Sequence, residues 1–298
     1  MKLKDYQIEV LERLSRYISR LESKRADAED YVQFQRAKGR EVLASDYCRD
    51  AWDSLNAEEA LPYSRDKDGV LHLLPYVPRS DGVRHPIPNV CIKIPTGGGK
   101  TLLGCGAVER INVEYFKKQT GFVLWVVPSD AIYRQTWRTF ANREHPYRQM
   151  LERAAAGRVR LLERGDHFTR QDVDEQLCVM LLMLQASARK TKDQLRMFKD
   201  SGQFTSFFPD VDDALANNAL FEQVPNLSTG GLEVAQNLSV LQSLGNVLRL
   251  IRPIIIIDEG HKAYSEIALS TLCGFNPRFI LELSATPNTG KEHEVMSW

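Results

Sequence analysis

From residue 90 onward, short and almost unbroken apolar runs alternate with longer stretches in which apolar residues return every three or four positions. The runs at 90–94, 122–127, 177–184, 253–257 and 279–283 predict strands buried on both faces of a parallel sheet. Between them, 101–117, 131–140 and 234–250 predict helices, the last with Leu238, Leu241, Leu244 and Leu248 on one face. Such strand–helix alternation predicts a doubly wound α/β domain. Upstream, Tyr6, Val10, Leu11, Leu14, Tyr17, Ile18 and Leu21 predict an opening amphipathic helix over 5–21. Residues 22–60 are polar and charged and predict solvated surface helices. Residues 61–89, with prolines at 62, 75, 78, 86 and 88, predict irregular loop with at most a short hairpin. The stretch 200–232 predicts a long loop or insertion.

Composition narrows the class. A chain of 298 residues, 43% hydrophobic and 26% charged, buries a sizeable core and is neither disordered nor a small disulfide scaffold. The 39 Lys+Arg balance the 39 Asp+Glu, so any basic surface must be local. The five cysteines are scattered without a CxxC pair, which argues against a disulfide framework or zinc site and for reduced thiols. No signal peptide and no membrane-length apolar run is visible, so a soluble cytoplasmic protein is expected.

The chemistry concentrates at the predicted strand ends. After the 90–94 run comes Pro95-Thr96-Gly97-Gly98-Gly99-Lys100-Thr101, then a predicted helix. Consecutive glycines let backbone N–H groups turn towards an anion, and the helix adds its positive end. Lys100 would reach the β- and γ-phosphates of a nucleotide and Thr101 would place its hydroxyl on Mg²⁺. The strict P-loop pattern is not met, because Ile94 stands where its first glycine belongs. The 253–257 run ends in Asp258-Glu259-Gly260-His261. Two carboxylates at the carboxyl edge of such a sheet suit Mg²⁺ binding by Asp258 and action on an attacking water by Glu259. The next strand ends in Ser284-Ala285-Thr286-Pro287, whose hydroxyls suit sensing a neighbouring strand end more than catalysis.

In this order, PTGGGKT, DEGH and SATP resemble motifs I, II and III of the superfamily 2 helicases and translocases. The resemblance implies a RecA-like P-loop domain over 88–298, its mainly parallel central sheet flanked by helices. It leaves an N-terminal helix at 1–21 and a mainly helical insertion at 22–87. Asp5-Tyr6-Gln7 resembles the adenine-reading Q motif, which implies a base contact for Gln7. Val127-Pro128-Ser129-Asp130, leading into Tyr133-Arg134-Gln135-Thr136, is similar to motif Ia. That likeness implies nucleic-acid contacts for Pro128, Ser129, Arg134 and Gln135, and the position of Gln185 and Ser187 after the third strand implies the same for them. His261 would couple to Ser284 and Thr286. Within the superfamily the motifs most resemble the restriction subunit of type III restriction enzymes. ATP, Mg²⁺, DNA (duplex rather than RNA) and a DNA methyltransferase partner are thereby implied, and no membrane.

The family's second RecA-like domain and nuclease domain lie outside these 298 residues, so a truncated chain is expected. Without the arginine finger, which contributes ~10³–10⁵ in rate, hydrolysis by this chain alone should be very slow. A non-catalytic remnant and a P-loop phosphotransferase remain as alternatives, the latter giving no reason for Gln7, DEGH and SATP in that order. Arg134, Arg138, Arg143 and Arg148 read either as a phosphate-contacting edge or as charges on a solvated helix. Asp172, Asp174 and Glu175 read as surface, and Trp125 as core.

Overall fold

The computed structural model describes residues 3–42, 44–65, 68, 70–183, 197, 199, 202–230, 239–259, 266–285 and 295–296. A small antiparallel hairpin, β1 (Tyr63–Arg65) with β2 (Leu71–Leu73), precedes the main sheet. The sheet strands are β3 (Asn89–Lys93), β4 (Gly121–Val127), β5 (Val159–Leu162) and β6 (Leu177–Met183). A second hairpin, β7 (Thr229–Gly230) with β8 (Ser239–Val240), intervenes before β9 (Ile254–Asp258), β10 (Phe279–Ser284) and β11 (Val295–Met296). The described main sheet has seven strands in the order β11-β3-β10-β9-β4-β6-β5, every pair parallel.

Strand residues alternate between two cores, as the two-residue period of a pleat requires. Val123, Trp125 and Val127 of β4 join one apolar cluster, and Phe122, Leu124 and Val126 the other. The first face is covered by α1 (Asp5–Ala37), α2 (Tyr47–Ala57) and α3 (Lys100–Arg110), which runs on as a π-helical turn, Ile111–Tyr115. Trp125 is buried there, edge-on to Phe140 at 5.0 Å between ring centres. Two helices follow β4: α4 (Asp130–Ala141) and α5 (Pro146–Ala154), the second packed on α3. Next come α6 (Arg170–Glu175) and α7 (Ala214–Gln223). The second face is covered by α8 (Leu244–Ile251), α9 (Glu266–Cys273) and the aromatic set Phe168, Phe204 and Phe207.

Several elements differ from the sequence expectation. The opening helix continues to Ala37 instead of ending near residue 21. α2 is not a solvated surface helix: Cys48, Ala51, Trp52 and Leu55 form a buried stripe, and the Trp52 indole N–H donates to Leu74 O at 2.9 Å. The helix expected over 234–250 starts at Leu244, because the Ser243 side chain caps it and residues 239–240 pair as a strand. The stretch 200–232 contains a ten-residue helix, α7. β5, α5 and α6 have no counterpart among the predicted elements.

Candidate nucleotide site

Parallel pairing brings the carboxyl ends of β3, β10 and β9 side by side, and the loops leaving them converge. β10 ties the two outer loops together. Its Leu283 carbonyl accepts the Glu259 N–H at 2.9 Å, and its Ser284 carbonyl accepts the Ile94 N–H at 2.8 Å. The loop that opens α3 and the acids that end β9 are therefore held in register by one strand between them. The Ser284 side chain is fully buried at this junction.

The loop geometry explains its composition. Gly99, the residue before α3, has φ 82° and ψ 39°, a left-handed conformation in which a side chain is strained. At Gly98 the reason is space: a Cβ there would meet Ile94 Cγ2 at 2.7 Å and the Pro95 carbonyl at 2.9 Å. The Gly98 carbonyl is held from the other side by α1. Tyr6 Oη donates to it at 2.7 Å and Gln7 Nε2 at 3.1 Å. The Gln7 amide oxygen accepts the Lys4 N–H at 3.0 Å, which satisfies a backbone donor at the start of α1. Gln7 is 4% exposed, with both ends of its amide engaged by backbone.

Lys100 and Glu259 meet across the end of β10. Lys100 Nζ lies 2.8 Å from Glu259 Oε1, with the side chains 8% and 17% exposed. Burying such a pair costs about as much desolvation as its attraction returns, so it is a weak source of stability. Glu259 itself sits at φ 60°, a conformation uncommon for a non-glycine residue and concentrated at functional sites. Beside it, Thr101 Oγ1 donates to Asp258 Oδ2 at 3.2 Å. Burial pushes the Asp258 carboxyl up to about 6, with the Glu259 charge adding to the rise and the Thr101 hydroxyl opposing it.

A cavity of about 390 Å³ opens here, lined by Thr96, Gly97, Gly99, Lys100, Thr101, Asp258 and Glu259 on the sheet side. Its opposite wall comes from α4 and α5: Ile132, Gln135, Thr136, Thr139 and Tyr147. The site thus combines an ammonium, a helix N-terminus, a hydroxyl and two carboxylates around one opening. Asp258 and Thr101 offer hard oxygen donors for a cation of the Mg²⁺ type, which takes few protein ligands and keeps water. Among the described residues no group of three or more His, Cys, Asp or Glu is placed to hold a metal.

Compared with protein-family models, residues 1–289 match the family described as Type III restriction enzyme, res subunit. The chain belongs to that family. Membership makes it a helicase-like domain of an ATP-dependent motor class that generally works with ATP and Mg²⁺. No curated protein matches the chain. No helix among the described residues is long and apolar enough to cross a membrane.

With the family in hand, the sequence-predicted residues divide into groups. Lys100, Thr101, Asp258, Glu259, Thr96, Gly97 and Gly99 share the cavity, and Gly98 faces Tyr6 and Gln7 behind it. Ser129 caps α4 by accepting the Ile132 N–H, with Pro128 half-buried before it. Arg134 is exposed and paired with Asp130 at 2.9 Å. Gln135 was expected with the nucleic-acid set, yet it lines the cavity, because one helical turn separates it from Ile132 on the same wall. Arg148 departs from both expected readings. It is 4% exposed and donates to Glu152 Oε1 at 2.7 Å, Phe140 O at 3.1 Å and Val159 O at 2.9 Å, tying α4, α5 and β5 together. His261, Thr286, Gln185 and Ser187 lie outside the described residues. Sequence reasoning missed Tyr147 and Thr139; the His145-Pro146 start of α5, a capping side chain before an N-terminal proline, was the available signal for the former.

Proposed function

We propose that this chain is the nucleotide-binding half of a DNA-dependent ATPase, coupling ATP hydrolysis to ADP and phosphate with movement along duplex DNA. On this reading it serves the restriction subunit of a type III restriction enzyme, beside a DNA methyltransferase that reads the target. The observation that carries the proposal is the 2.8 Å Lys100–Glu259 pair set next to the 3.2 Å Thr101–Asp258 bond in a single cavity.

The residues fit a magnesium–nucleotide. Thr101 and Asp258 would hold Mg²⁺, which when bound supplies positive charge to the phosphate oxygens. Lys100 is within reach of the loop's phosphate cradle, and phosphate oxygens would compete with Glu259 for its ammonium. Released from Lys100, the Glu259 carboxylate is free to orient a water and take its proton. Binding and activation of the base are thereby linked through one side chain. Gln7 and Tyr6, holding the Gly98 carbonyl, join α1 to the same loop, so the start of α1 responds to what the loop carries. Gln135 and Tyr147 on the far wall would contact the nucleotide. Pro128, Ser129 and Arg134 at the end of β4, with Gln185 and Ser187, would meet the DNA backbone. Ser284, Thr286 and His261 would pass the state of the site to that surface.

The test is Glu259→Gln, assayed with the family's second RecA-like domain present and with duplex DNA or RNA added. ATP binding should persist while DNA-stimulated turnover falls by ~10² or more, the usual scale for a lost general base. Unchanged turnover would overturn the assignment, and stimulation by RNA alone would overturn the choice of DNA.

A further inference from the structure

At the amino edge of the sheet, opposite the nucleotide site, the chain gathers cations for which the motor chemistry has no use. Arg278 lies just before β10, Arg252 just before β9, and Arg25 on the α1 face that reaches this edge; all three line one cavity of about 360 Å³. Pro86, Pro277 and Phe116 give it an apolar wall. A neighbouring cavity of about 280 Å³ shares Phe116, Arg252 and Arg278 and adds Lys118 and Arg170.

Arg278 is the centre of the cluster. Its guanidinium stacks over the Phe116 ring at 4.0 Å and has no carboxylate or hydrogen-bond acceptor among the described residues. Burial, then the like charges of Arg252 and Arg25, hold its pKa below the ordinary arginine value. The carboxylates nearby are already engaged. Glu29 lies 3.8 Å from Arg25, and Asp81 lies 3.3 Å from Arg252 and 3.5 Å from His85. Arg252 ends α8 at φ 54°, the left-handed position that glycine usually takes at a helix C-terminus. A half-buried cation among like charges is unfavourable unless an anion joins it. The planar guanidinium fork matches phosphate oxygens in pairs, and the ring and proline wall suit the apolar part of an ester.

We propose that this cavity is a second phosphate site, separate from the P-loop, in which Arg278, Arg252 and Arg25 take a phosphate ester carried by a free nucleotide or by a nucleic-acid backbone. The test begins with a calorimetric titration of inorganic phosphate into the chain carrying Lys100→Ala, so that the P-loop lysine plays no part. Saturable binding is expected, weakened at least tenfold by adding Arg278→Ala. Arg25→Gln, at a half-exposed helix position outside the apolar core, should weaken it several-fold in a protein that folds normally. Magnesium–ATP binding at an intact P-loop should be unchanged by either arginine substitution. Absence of saturable phosphate binding in the Lys100→Ala protein, or binding that both arginine variants leave intact, overturns the proposal. Displacement of phosphate by AMP identifies a free nucleotide as the source. A single-stranded oligonucleotide whose logarithmic salt slope falls by about one in Arg278→Ala identifies a backbone phosphate instead.

Discussion

Replacing Asp258 by Asn should stabilise the metal-free protein at neutral pH. The Asp258 carboxyl is 3% exposed, and burial raises its pKa from 3.8 to about 6. One pKa unit is about 1.4 kcal/mol, so holding this carboxylate charged costs the fold roughly 3 kcal/mol. Between 3.8 and about 6 the folded protein binds more protons than the unfolded chain. Stability therefore falls as pH rises through that window, and the full penalty is present above it. Asn keeps the shape and an oxygen for the Thr101 hydroxyl while removing the charge. In EDTA at about pH 7 the variant should melt several degrees higher, at roughly 2–4 °C per kcal/mol for a chain of this size. The gap should shrink as pH falls from about 6 and close below about pH 3, where the wild-type carboxyl is protonated in both states. Equal melting temperatures at neutral pH, or a gap that widens on acidification, would refute the reasoning.

Three further substitutions separate scaffold from site. Gln7→Ala removes the bonds to the Gly98 carbonyl and from the Lys4 N–H; a loss of about 1–2 kcal/mol by thermal or urea unfolding is expected, with weaker ATP binding. A variant of unchanged stability that only loses preference for ATP over GTP would place Gln7 on the base instead. Arg148→Ala leaves two carbonyls and Glu152 without their buried donor, and should cost about 2–4 kcal/mol while nucleotide affinity of the folded protein stays constant. Arg134→Ala disrupts an exposed pair and should alter stability by less than about 0.5 kcal/mol, so a fall in DNA affinity would report a direct contact.

The five long sheet strands are legible because burial on both faces leaves apolar runs that no surface element needs. β5 was not, since it is an edge strand of four residues, Val159–Leu162, with Arg160 half-buried in its middle. In α2 the buried positions 48, 51, 52 and 55 do have helical spacing, but Arg49, Asp50 and Asp53 among them give the segment a solvated look. α5 hides in the same way behind Arg148 and Glu152, and with it went the Tyr147 wall of the cavity. The chemistry at strand ends reads clearly because Lys100, Thr101, Asp258 and Glu259 follow those same apolar runs. What local sequence does not encode is which faces meet: Gln135 lines the cavity because the face of α4 that carries it and Ile132 turns towards the ends of β3 and β9. The end of α8 was legible from Pro253, although the left-handed position there is taken by Arg252 and not by the glycine that usually fills it.

Every role assigned to this cavity depends on its taking magnesium–ATP through Lys100. The direct measurement is equilibrium binding of ATP to the 298-residue chain and to Lys100→Ala, each with Mg²⁺ and with EDTA, after melting curves confirm that both are folded. Saturable, magnesium-dependent binding that disappears in Lys100→Ala is the predicted result. Equal binding by the two proteins, or none by the folded wild type, would contradict it.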